Sequence, residues 1–270
     1  MAYTIKPQTQ KQQTIRDSIE EFLNSDSVLV LPTIGGGRFE YHMNDISVAV
    51  DTLYNALDGA LETLHQDARN KGTPITCSKG CSYCCNQPVA CSIPESIFIV
   101  THLNENPDTL EHFLSRYQTW RGKFDPYKYS EIMNKQFHAM INGKSEGPEL
   151  RLFAEFNCAE CPFLKDNACS IYPVRPTVCR GMLSIDDPEK CRNGEIALLA
   201  QGRKFHGLVT NKQGQIYSKL IKSLGTKAQL SAPLPLSVYE IFHGKKDYIE
   251  KIVKQANKRI RDETFPHVIN

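Results

Sequence analysis

The chain has 270 residues, 40% of them hydrophobic and 23% charged, and a formal net charge of +2. That length suffices for one large domain or two small ones with a substantial core. The near-neutral charge excludes a global basic field for nucleic acid, and no apolar run approaches the roughly 20 residues that span a bilayer.

The chain opens on MAYTIKPQTQKQQT, which lacks the apolar core of a secretory signal, and the expectation is a cytoplasmic protein with a solvated tail. Residues 14–24 place Ile15, Ile19, Phe22 and Leu23 on one helical stripe. VLVLPTIGGGRFEY follows as a short strand and a glycine-rich connector; without GK[ST] it is no phosphate loop. The clearest helix covers 44–71, where Ile46, Val50, Leu53, Leu57, Leu61, Leu64 and Ala68 recur at steps of three and four and Gly72 ends the run. It delivers the chain into CSKGCSYCC, residues 77–85.

Ser92-Ile-Pro-Glu95 is a capping box that opens a helix through Ile97, Ile99, Val100 and Leu103. Asn106-Pro107-Asp108 starts another, with Leu110, Phe113, Leu114 and Tyr117 on its apolar face. Helical patterns recur at 130–142, 148–156, 194–206, 214–224, 236–243 and 245–262, and strand alternation is scarce. The expected fold is mostly α: a helical domain with two cysteine-rich metal-binding loop regions and little β. Residues 1–43 form a tail, short helix and connector. Residues 44–192 form a cysteine-cluster domain, and 193–270 a helical region packed on it.

All ten cysteines lie between Cys77 and Cys191. In a reducing compartment such a cluster points to metal ligands rather than disulfides. The first group, Cys77, Cys81, Cys84 and Cys85, has the spacing C-x3-C-x2-C-C. The second comprises Cys161, Cys169, Cys179 and Cys191, with Cys158 nearby in C-x2-C relation to Cys161. Close spacing aims several sulfurs at one point at little loop-closure cost. Thiolates suit a soft cation, and four of them serve zinc and iron–sulfur clusters alike. On extended backbone Cys84 and Cys85 would point in opposite directions and could serve different centres. Cys77-x3-Cys81-x-Tyr83-Cys84 also matches the loop of radical S-adenosylmethionine enzymes. That fold needs a train of βα units, whereas the following segments read as helical, and Cys85 threatens the open iron position.

The downstream string Cys161-Pro-Phe-Leu164 with Cys169-Ser-Ile-Tyr-Pro-Val-Arg-Pro-Thr-Val-Cys179-Arg180 resembles the CxxxCxxCC cysteine-cluster family of zinc- or iron-chelating proteins. The stretch from Gly181 to Cys191 is similar to that family's ending, and the resemblance covers about 44–192. It implies as ligands Cys77, Cys81, Cys84, Cys85, Cys161, Cys169, Cys179 and Cys191. The resemblance requires no cysteine at Cys91, which is expected to be a small buried residue; Cys158 stays open as a ligand.

Arg175 and Arg180 can offset the net negative charge of four thiolates on a divalent metal, or donate to sulfur. Tyr172, Pro173 and Pro176 shape the loop. The eight histidines form no HExxH pair, and GxSxG, Walker A and GxGxxG are missing.

The expected function is a metal-binding protein holding zinc or an iron–sulfur cluster. The eight-cysteine count and the crowded first group favour iron–sulfur. The alternative is an iron–sulfur-dependent enzyme, either a transferase like the flagellin lysine methylase, to which the resemblance extends, or a radical S-adenosylmethionine enzyme. The expected partner is the metal or cluster, with no membrane and no nucleic acid; no protein partner is identified.

Overall fold

The structure is a computed structural model that describes residues 39–129 apart from 71, 73 and 88, together with 131, 160–184, 187–192, 231–244 and 251. The expected elements at 14–24, 29–38, 148–156, 194–206 and 214–224 lie outside the described residues, as do nearly all of 130–142 and 245–262.

Helix α1 runs from Phe39 to Asn70, five residues earlier than the apolar stripe alone suggests. Its buried face carries Ile46, Val50, Leu53, Leu57, Leu61 and Ala68. Gly72 stops it at φ +71, a left-handed conformation that glycine adopts without strain, and its N–H reaches the Arg69 carbonyl at 3.0 Å.

Strand β1 (Ala90–Ser92) leads directly into helix α2 (Ile93–Glu105). Both halves of the expected capping box form: the Ser92 hydroxyl accepts from Glu95 N–H, and the Glu95 carboxylate accepts from Ser92 N–H. Ile93, Ile97, Ile99, Val100 and Leu103 are buried against α1, each contributing roughly 1.5–3 kcal/mol of apolar burial. Tyr54 of α1 meets Phe98 of α2 edge to face, at 5.6 Å between ring centroids.

Helix α3 (Pro107–Lys123) has proline in its first turn. Asn106 spends its side chain on the carbonyl of His102, at 2.7 Å, and so closes α2 rather than capping α3. The buried face of α3 is aromatic. Phe113 stacks on Phe163 at 4.4 Å, and Tyr117 stacks on Tyr239 at 3.8 Å. Through these rings α3 holds both the second cysteine segment and the helix at 234–244.

That segment is folded by a two-residue hairpin between β2 (Leu164–Lys165) and β3 (Ala168–Cys169). Asp166 and Asn167 occupy its turn at φ +50 and +59, the left-handed region these side chains tolerate best after glycine. A 3-10 turn (Tyr172–Val174), helix α4 (Thr177–Gly181) and helix α5 (Pro188–Arg192) follow. Strand β4 (Ser231–Pro233) pairs antiparallel with β1, setting Cys91 opposite Ala232, and Leu234 N–H reaches the Val89 carbonyl at 2.8 Å.

The fold is mostly α, with two two-stranded sheets among the described residues. No train of βα units follows Cys85 in them, against the radical-enzyme architecture. No described helix is long and apolar enough to cross a membrane.

Candidate metal centre

The chain leaves α1 and pairs at once with the distant 184 region. Thr76 donates to the Ser184 carbonyl from its N–H at 2.8 Å and from its hydroxyl at 3.0 Å. Ser184 N–H in turn donates to the Cys77 sulfur at 3.2 Å. Gly80, at φ +96, reverses the loop, and Cys81 N–H closes back on the Ser78 carbonyl at 3.1 Å.

Tyr83–Asn86 is a 3-10 turn, which corrects the expectation of extended backbone at Cys84 and Cys85. The local cause is visible in the hydrogen bonds: Cys85 N–H reaches the Ser82 carbonyl at 2.9 Å and Gln87 N–H that of Cys84 at 3.1 Å. Cys161 N–H then docks on the Cys85 carbonyl at 2.9 Å, joining the two cysteine segments through their backbones.

The second segment is braced from behind. Phe163 packs on Phe113, and Ser170 donates to the Phe163 carbonyl from both its N–H and its hydroxyl, at 2.8 Å each. His112 Nε2 lies 2.8 Å from the Leu164 carbonyl. Glu95, 1% exposed, gives one carboxylate oxygen to the Tyr54 hydroxyl at 3.1 Å and to Thr177 N–H at 2.7 Å. The capping carboxylate of α2 therefore also anchors the start of α4, the helix that carries Cys179. The sequence signals its capping role, but its tertiary donors lie 41 and 82 positions away.

Seven expected ligands line one cavity of about 400 Å3: Cys77, Cys81, Cys84, Cys85, Cys161, Cys169 and Cys179. Cys191 is not in that lining. It lies on α5, which Tyr83 ties to the 3-10 turn through a 3.2 Å hydrogen bond to Glu189, and its charge is felt at Cys77. Cys91 is fully buried, is absent from the cavity wall, and receives the Ser96 hydroxyl at 3.3 Å. Cys158 lies outside the described residues. No disulfide joins the nine described cysteines.

Burial pushes the thiol of Cys77 up to about 11 and that of Cys161 up to about 12, and it raises Cys169 and Cys179 as well. Cys85 is raised first by donating its S–H to Cys84 and then by burial, while accepting that bond brings Cys84 down to about 7. Backbone amides oppose the burial: Ser184 N–H acts on Cys77, Phe163 N–H on Cys161 and Ile171 N–H on Cys169. Amide donors at sulfur are what a bound thiolate requires, and a cation is what would draw the protons off such buried thiols.

The two arginines divide their work. Arg175 lies with its guanidinium 3.7 Å from the centre of the Tyr172 ring, donates to the Tyr172 carbonyl at 2.8 Å, and lowers Cys169 and Cys179 by its charge. Arg180, 2% exposed, spends its donors on the carbonyls of Arg175 and Pro173 and on Asp58, and lies over the Tyr54 ring at 4.1 Å. These contacts fasten α4 to α1 and go to oxygen rather than sulfur. Asp58, His65, Trp120 and Phe163 also line the cavity, and no spacing rule in the sequence singled them out.

Among the described residues, no three His, Cys, Asp or Glu side chains converge closely enough to hold one ion. Seven thiols line this one cavity, a soft-donor set that suits zinc or an iron–sulfur cluster.

Residues 76–195 match the family described as "Putative zinc- or iron-chelating domain", CxxCxxCC. A search of curated proteins and one of solved structures each found no match.

Proposed function

We propose that this chain, which carries a zinc- or iron-chelating domain of the CxxCxxCC family in residues 76–195, is an iron–sulfur protein. The observation that carries this reading is the convergence of seven cysteines on one cavity of about 400 Å3. Seven thiolates are more than one tetrahedral ion takes and suit iron atoms bridged by sulfide, which the group itself supplies when bound. The amides of Ser184, Phe163 and Ile171 stabilise thiolate charge, and Arg175 offsets it from the side of Cys169 and Cys179. We take Cys191 as the eighth ligand and Cys91 as a packing residue. We also take 44–192 and the region after it as one folded unit, which the β1–β4 pair supports, and its setting as cytosolic.

Anaerobic purification with an absorption spectrum and analysis for iron, zinc and sulfide tests the reading. Brown protein with broad visible absorption and matched iron and sulfide is expected. Colourless protein with stoichiometric zinc would overturn it.

One observation favours an enzymatic use of the same centre. The cavity continues from the sulfurs to Leu61, Trp120, Met182 and Leu234, with His65 on its wall, which leaves room for a small substrate beside the ligands. An iron–sulfur-dependent transferase would use that room. It would also keep a metal position open to an added small ligand such as cyanide, visible as a changed electron paramagnetic resonance signal, whereas a saturated store would not respond.

A further inference from the structure

We propose that the eight cysteines form two neighbouring four-thiolate centres and that the boundary between them falls between Cys84 and Cys85. Cys77, Cys81, Cys84 and Cys191 hold one centre; Cys85, Cys161, Cys169 and Cys179 hold the other. This rests on the metal-binding reading above but not on the identity of the metal, and it cuts across the two groups that sequence spacing suggests.

The backbone ties define the sets. Thr76 and Ser184 are locked together, Ser184 N–H donates to the Cys77 sulfur, and the chain beyond Ser184 enters α5, which bears Cys191. The Tyr83–Glu189 hydrogen bond holds α5 against the turn that carries Cys84. Gly80 reverses the loop between Cys77 and Cys81. On the other side, Cys161 N–H sits on the Cys85 carbonyl, and Leu164 N–H sits on the Cys161 carbonyl at 2.9 Å. Leu164 pairs directly with Cys169, so the hairpin presents Cys161 and Cys169 at the same end. Glu95 places the first turn of α4, and with it Cys179, over this end.

The 3-10 turn makes the separation possible, because with three residues per turn successive side chains diverge by about 120°. Cys84 can face one centre while Cys85 faces the other. Four thiolates complete one centre of either kind. A single centre would leave four thiols with no partner metal on or beside the same cavity.

The experiment uses the full chain, purified anaerobically and reconstituted with iron and sulfide, with metal and sulfide counted per chain and the reduced samples examined by electron paramagnetic resonance. The wild-type chain is expected to hold twice the metal of one centre. Cys81→Ser and Cys169→Ser should each leave about half, and the double variant none. Cys84→Ser should leave the same residual signal as Cys81→Ser, and Cys85→Ser the same as Cys169→Ser. One centre's worth of metal in the wild-type chain, or loss of all metal in a single variant that keeps its helical circular dichroism, would overturn the two-centre division. A Cys84→Ser signal matching that of Cys169→Ser would overturn the boundary. If Cys169→Ser does not fold, the wild-type count still decides the number of centres. A wild-type chain that holds no metal defeats the metal-binding reading itself, a different outcome from a failed division.

Discussion

Between Cys77 and Gln87 every residue keeps part of its surface in solvent, whereas between Cys161 and Arg180 the residues Phe163, Leu164, Ile171, Val174, Thr177 and Arg180 are buried. Both segments bring thiols to one cavity. The second is held there by aromatic stacking on α3, by Glu95 and by the three acceptors of Arg180. The first is held by short turns and by its docking on Ser184, Glu189 and Cys161. The difference teaches that packing holds the second segment while turns and backbone docking hold the first, so metal binding is expected to change the order of the first more.

The contrast can be broken or sharpened by five measurements. Phe163→Ala removes a ring stacked on Phe113 and only 1% exposed, and the expected loss is about 3–5 kcal/mol in urea unfolding of the metal-free chain. A loss under about 1 kcal/mol would mean that packing does not hold the second segment. Arg180→Met leaves the carbonyls of Pro173 and Arg175 without their donor; about 3 kcal/mol is expected, and Arg180→Lys should recover little of it because a lysine cannot reproduce the planar fork. Recovery by lysine would reduce the residue to a plain charge. Glu95→Ala strips acceptors from Tyr54, Ser92 and Thr177, with an expected cost of about 2 kcal/mol. A normal Tm would show that α4 needs no anchor.

Chelation should raise amide exchange at 77–87 by at least about tenfold, roughly 1.4 kcal/mol of local opening, with much less change at 161–181. Equal rises in both segments would erase the distinction. Gly80→Ala has no neighbouring atom within 4 Å to strike, so its cost is the strain of φ +96 alone, about 1 kcal/mol. That cost should appear as roughly fivefold weaker metal binding and leave the metal-free Tm unchanged. A lower Tm without metal would show that the loop is ordered by the fold itself.

Much of this was legible in local chemistry. The stripe from Ile46 to Ala68, the stop at Gly72, the Ser92–Glu95 box and the Asn106-Pro107 start each depend on residues within one or two helical turns, so local pattern and observed helix agree. The cysteine spacing likewise pointed to metal chelation, in keeping with the family that residues 76–195 match. The β1–β4 pair was not legible, because three residues cannot show an alternation. Nor was the 164–169 hairpin, whose Asp-Asn turn lacks the usual glycine.

By itself, then, the sequence determined a mostly helical protein and named the cysteines expected to bind metal. Only the tertiary structure decided that Glu95 serves α4, that Arg180 binds carbonyl and carboxylate oxygens while Arg175 lies on Tyr172 in the cavity wall, and that Cys91 packs away from the cavity. It also bent the backbone of Cys84 and Cys85 into a 3-10 turn docked on Cys161. The reason is physical: spacing along a chain selects donor types, but which donors share a metal depends on where hydrogen bonds and buried rings bring distant segments together.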